Sequence, residues 1–161
     1  MKRSIKKGAS GRAMRLVEWV ALERSDLRHW VLEKAIVDLF AARKIKPLTN
    51  EYVDLLAHSG PVSIIFEVKS SARDEVGRRV RQAIYQLLEY RFVYREKLGS
   101  DVRLCIVSEH RPVGSDYWLL EYTEHLGIGL IWKKDDSDAL ACAEFTRKLL
   151  VDVLPQLAEW P

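Results

Sequence analysis

The stretch Leu48-Thr49-Asn50-Glu51-Tyr52-Val53-Asp54-Leu55-Leu56-Ala57 / His58-Ser59-Gly60-Pro61 / Val62-Ser63-Ile64-Ile65-Phe66-Glu67-Val68-Lys69-Ser70 decides the architecture. Two β-favouring runs flank a Ser-Gly-Pro turn cluster, so residues 48–57 and 62–70 read as a β-hairpin. Polar residues interrupt its apolar pattern. Glu67 and Lys69 are two apart and share a face of the second strand. Pairing about Gly60-Pro61 sets Asp54 directly opposite Glu67, with Cβ atoms ~5 Å apart. Two carboxylates at that separation repel unless a cation bridges them, and oxygen donors suit Mg²⁺ or Mn²⁺. Lys69 on the same face could then hold or deprotonate a water for attack on a phosphate. The competing reading makes Glu67 and Lys69 ordinary surface residues beside a cross-strand partner, and a one-residue slip would separate the carboxylates.

Outward from the hairpin, the chain alternates helices and strands. Ser25 and Asp26 can cap a helix running from Leu27 to about Lys44, with Trp30, Ile36, Val37, Leu39 and Phe40 at helical spacing and Pro47 as its stop. Glu33 lies one turn after His29 among those apolar residues, so it is expected on the core side and in need of a partner: a metal, Lys34 or an arginine. Residues 75–98 read as a long amphipathic helix ended by Gly99, with Val76, Val80, Ala83, Leu87 and Leu88 on the apolar side. Arg78, Gln82, Gln86 and Tyr90 recur every four residues along it, a stripe that with Arg79 suits phosphate contacts and base stacking, or simply a solvated face. Residues 102–108 and 128–133 read as strands, 116–126 as a helix closed by Gly127, and 139–154 as a last helix broken before Pro155. The expected order is α-β-β-α-β-α-β-α, a mixed α/β domain whose sheet has parallel and antiparallel pairs. Residues 13–23 fit helix and strand equally.

The 161 residues suit one domain, taken as 12–161 behind a flexible basic arm of residues 1–11. Hydrophobic residues make up 48% and charged residues 30%, which excludes a disordered or fibrous chain. The two cysteines, Cys105 in an apolar strand and Cys142 in the alanine-rich last helix, read as buried thiols of a reducing compartment. A basic start without an apolar stretch after it, and charges interrupting every apolar run, lead to the expectation of a cytoplasmic protein with no membrane partner. Net charge is only +3, but Lys2, Arg3, Lys6, Lys7, Arg12 and Arg15 precede the first acid, an asymmetry that suggests a polyanionic partner at this end.

Taken together, Glu33 on a leading helix, Asp54 on one strand, Glu67-Val68-Lys69 on the next and Gln86-Leu87-Leu88-Glu89-Tyr90 on the following helix resemble the PD-(D/E)xK nuclease superfamily. The last stretch is similar to the Gln-x-x-x-Tyr signature of its RecB-like and Cas4-like branches. The resemblance covers roughly residues 27–133 and implies a restriction-endonuclease-like mixed sheet flanked by helices. It implies Asp54 and Glu67 as metal ligands, Glu33 as an accessory carboxylate at the metal, Lys69 as the catalytic lysine, and Gln86 and Tyr90 as support for the site or the DNA. Val53 stands where the motif has proline, and the cysteine set of the cluster-bearing members is missing. The expected function is a Mg²⁺- or Mn²⁺-dependent nuclease of low sequence specificity acting on DNA, as a homodimer or a subunit of a larger complex. The alternatives are a silent nucleic-acid-binding copy of the fold and a protein-interaction domain.

Overall fold

The computed structural model describes residues 26–160. The basic arm of residues 1–11 with Lys6 and Lys7, the ambiguous stretch 13–23 and the Ser25 cap lie outside them. The fold is a mixed α/β sandwich. Helix α1 covers residues 26–41; then come β1 (Leu55–Ser59), β2 (Val62–Lys69), α2 (Val76–Val93), β3 (Asp101–Ser108), α3 (Leu119–His125), β4 (Ile128–Lys133), β5 (Leu140–Cys142) and α4 (Glu144–Leu150). The five strands lie in the order β1-β2-β3-β4-β5. The outer pairs β1/β2 and β4/β5 are antiparallel, while β2, β3 and β4 run parallel.

The β1/β2 register is the one the turn dictates. Ser59 pairs with Val62, and Leu55 with Phe66. Gly60 takes φ +58° and Pro61 holds φ negative, the sign pair of a type II′ hairpin. The first strand is shorter than the expected 48–57. The Asn50 side chain accepts from the Tyr52 and Val53 amides at 2.7 and 2.8 Å, a local turn that competes with strand pairing. Only Leu48 rejoins the sheet, as a single bridge to Leu56.

Strand β2 is buried from Val62 to Val68 because helices cover both faces of the sheet. Ile64, Phe66 and Val68 face Leu32, Ile36 and Phe40 of α1 and Leu150, Leu154 and Leu157 near the C-terminus. Ile65 faces Val76, Val80, Ala83 and Leu87 of α2, with Leu104, Ile106, Leu119 and Leu130 beside it. Glu67 follows Ile65 on that second face and is 3% exposed.

Three helical expectations are corrected. Helix α2 ends at Val93, not near residue 98; turns carry the chain on to Gly99, which has φ +80°. The expected last helix over 139–154 begins instead as a strand: Leu140–Cys142 pairs with Ile131–Lys133, and helix is confined to Glu144–Leu150. An apolar triplet lying beside the open edge of β4 gains a ladder of hydrogen bonds that an alanine-rich helix would not supply. Cys142 is therefore in a strand, though buried and free like Cys105. Finally, Trp30 does not join the core; it is 55% exposed, and Leu32, Ile36 and Phe40 form the buried stripe of α1. No helix among the described residues is long and apolar enough to cross a membrane.

Candidate active site

A cleft of about 370 Å³ opens between the start of α1, the approach to β1, the end of β2 and one side of α2. Its walls include His29, Asp54, Glu67, Lys69, Arg79, Gln86 and Tyr90. Asp54 sits one residue before β1, where the hairpin register would continue to Glu67. Its carboxylate is held by the chain opposite: Oδ2 accepts the Val68 amide at 2.7 Å. Oδ1 faces His29 Nε2 of α1 at 3.7 Å.

His29 reaches Glu33 Oε1 at 3.1 Å, one helical turn on. One ligand atom each from His29, Glu33 and Asp54 lie within 4.8 Å of one another. Glu33 is thus half-buried beside His29, not on the core face of α1 as expected, because the buried stripe passes through Leu32 and Ile36.

Glu67 is outside that three-residue group. Its Oε1 takes Lys69 Nζ at 2.5 Å, and both side chains are largely shielded from solvent. Its Oε2 is buried with no hydrogen-bond partner, as are Gln86 Oε1 and Arg79 Nε on the α2 wall. Gln86 Nε2 is 3.5 Å from the Tyr90 hydroxyl.

Of the polar stripe on α2, Gln86 and Tyr90 line the cleft while Arg78 and Gln82 do not. Arg78 pairs with Glu75 in solvent, and Gln82 accepts from Arg79. A spacing of seven then four residues (79, 86, 90) follows one helix face more closely than a strict step of four.

No family model matches the chain, and no curated protein matches it. Among solved structures, an XisH family protein from Nostoc punctiforme superposes with a TM-score of 0.38 at 15% identity, covering 68% of this chain and 95% of that one. A likeness this loose carries nothing about site or activity.

The electrostatics of the cleft follow from burial. Desolvation pushes Glu67 above the usual carboxylate range, against the Lys69 hydrogen bond that lowers it. Asp54 is raised for the same reason, opposed by the Val68 amide and by His29 and Lys69. Tyr90 is raised by burial and by the negative charge of Glu67. His29 is raised chiefly by its hydrogen bond to Glu33, partly offset by burial. Acids held in a partly dry cleft favour whatever brings positive charge to them.

Sequence reasoning did not single out His29 as a candidate ligand. The signal was present: a histidine four residues before a glutamate on one helix face is a ligand-pair spacing. What it could not supply was the approach of Asp54, from the far side of an intervening turn.

Proposed function

We propose that the chain is a metal-dependent nuclease hydrolysing phosphodiester bonds in DNA. The observation that carries this reading is the buried, unpartnered Oε2 of Glu67 in the same cleft as His29, Asp54 and Lys69. A buried carboxylate oxygen without a donor is unfavourable as it stands, and a cation would satisfy it. The donor set fits a hard divalent ion: Asp54, Glu67 and Glu33 offer oxygens, and the imidazole of His29 is compatible with Mn²⁺. When bound, Mg²⁺ or Mn²⁺ supplies a Lewis acid for the phosphate and a more acidic water.

The chain's own residues account for the rest. The Val68 amide fixes the orientation of Asp54, and Glu67 holds the Lys69 ammonium at the cleft. Lys69 donates to negative charge as it develops on the phosphate oxygens, where a pre-oriented cation acts without reorganisation. Glu33 orients His29, and Gln86 and Tyr90 offer an amide and a hydroxyl on the opposite wall. Arg79 holds the DNA backbone beside them.

The purified chain is to be incubated with linear, circular, single-stranded and branched DNA, with and without Mg²⁺ or Mn²⁺. Lys69→Ala should abolish cleavage while leaving metal and DNA binding in place. Asp54→Ala and Glu67→Ala should also lose the rise in melting temperature that metal gives the wild type. A wild-type melting curve indifferent to millimolar metal, with no cleavage of any substrate, overturns the reading.

A further inference from the structure

Lys69 ends β2 at the cleft, and its partner in the parallel register, Ser108, ends β3. The next residue, Glu109, joins the two strand ends. Its amide donates to the Lys69 carbonyl at 3.0 Å, and its Oε2 accepts the Ser71 amide at 2.9 Å. Both peptide groups that flank Ser70, a wall of the cleft, are thus held by Glu109. The same Oε2 faces a guanidinium nitrogen of Arg28 at 3.6 Å. Arg28 belongs to α1 and immediately precedes His29. The Glu109 side chain is 14% exposed, and Ser71 only 3%.

A carboxylate suits this place for two reasons. The buried Ser71 amide needs an acceptor, and the strand ladder stops at Lys69, short of it. A carboxylate accepts that N–H and keeps a charge for Arg28, which a neutral acceptor would not. Glu109 is neither among the walls of the cleft nor in the His29–Glu33–Asp54 group. Any effect it has on chemistry there must pass through the residues it fixes. Among the described residues, Arg28–Glu109 is the ion pair that spans from α1 to the end of β3.

We infer that Glu109 is a positioning residue that clasps the two sides of the candidate site, the end of β2 that carries Lys69 and the start of α1 that carries His29. The catalytic consequence rests on the nuclease reading; the clasp itself does not. Holding the Lys69 carbonyl and the Ser71 amide leaves the backbone at Lys69 one path, and so fixes where its side chain starts. Holding Arg28 sets how closely His29 approaches Asp54, 3.7 Å away. Catalytic groups must keep within about 0.5 Å of their working places. Outer groups that orient the residues of a metal site typically change affinity or activity about 10–100-fold when removed.

The test uses the full chain. In EDTA, amide hydrogen exchange at Ser71 and across residues 30–33 of α1 reads the clasp without metal or DNA. Glu109→Ala should speed exchange at Ser71 roughly tenfold, the weight of one lost buried hydrogen bond, and should also speed residues 30–33. Glu109→Gln, which keeps an acceptor, should restore most of the protection at Ser71. Arg28→Met should speed residues 30–33 about two- to fivefold, as loss of a partly exposed ion pair does, and leave Ser71 within about twofold. With Mn²⁺ and a DNA substrate, Glu109→Ala should lower Mn²⁺ affinity and kcat about tenfold each with KM little changed, and Glu109→Gln should recover part of both. Arg28→Met added to Glu109→Gln should cost nothing further, because both break one contact. Should Glu109→Ala fail to fold, Glu109→Gln and Arg28→Met give the reading on α1. Ser71 exchange unchanged in Glu109→Ala, α1 exchange unchanged in both other variants, or Mn²⁺ affinity and kcat intact while only KM rises would each overturn the role. The expected exchange changes in a chain that neither binds Mn²⁺ nor cleaves DNA would remove the nuclease reading and leave the clasp standing.

Discussion

Glu67 and Lys69 are two positions apart on β2, and their ion pair is nearly sealed from water. Removing either partner therefore has opposite consequences. Lys69→Met leaves the Glu67 carboxylate buried and unpaired, and should destabilise the metal-free protein by about 2–4 kcal/mol at pH 7. Glu67→Gln removes a charge that burial already disfavours, and should raise the metal-free melting temperature. Thermal melts in EDTA check both; a stabilised Lys69→Met would overturn the first expectation, and a destabilised Glu67→Gln would show that the attraction to Lys69 outweighs the burial penalty of the Glu67 charge. The alternation of β2 made the shared face of Glu67 and Lys69 legible in advance. The pairing of Asp54 with His29 was not, because it depends on α1 packing across the end of the hairpin.

At the scale of elements, the half of the sheet that departed from expectation is held by one hydroxyl. Thr146 of α4 is fully buried; its Oγ1 accepts the Leu130 amide at 2.6 Å and donates to the Leu130 carbonyl at 3.1 Å. The contact occupies the edge of β4 just before β5 takes over the pairing, where Ala143 also donates to the Leu130 carbonyl. Thr146→Val keeps the shape and strands a buried N–H, so it should lower stability by about 1–3 kcal/mol in denaturant unfolding. Thr146→Ser, which keeps the hydroxyl, should lose less. Close packing supports the same junction: a Cβ on Gly129 would come within 3.1 Å of Cys105 Sγ and Thr146 Cγ2. Residues 139–142 read as helix in isolation because alanine is a good helix former, and only the open edge of β4 turns them into a strand.

Across the whole molecule, Arg103 ties the start of β3 to the end of α4. Its donors reach Asp101, Asp152 and the Leu149 carbonyl, at 2.5–3.2 Å. These hydrogen bonds hold both aspartates below the ordinary carboxylate range. The folded state then binds fewer protons than the unfolded one. The stabilisation is present above the unfolded value of ~4 and is lost as pH falls through the folded values. Both carboxylates are about half exposed, so screening limits the pH-linked part to ~1 kcal/mol. Arg103→Met should cost about 2 kcal/mol at pH 7 and flatten the acid limb of a melting series between pH 3 and 6. An acid limb unchanged in the variant would place its origin elsewhere.

Local chemistry alone determined a good deal of this protein. The Gly60-Pro61 turn set the hairpin register, the apolar run 62–68 set a strand buried on both faces, and helical spacing placed Gln86 and Tyr90 together. Each is a matter of residues a few positions apart, where backbone geometry leaves little freedom. Tertiary structure decided the rest. It drew His29 and Glu33 of α1 to within 4.8 Å of Asp54, and recruited residues 140–142 to an open strand edge. It also collected Arg81, Arg111 and the rings of Tyr117, Trp118 and Trp132 on one surface, from segments that share no local pattern. Those outcomes turn on burial and on partners far along the chain, and such energies exist only once the sheet is assembled.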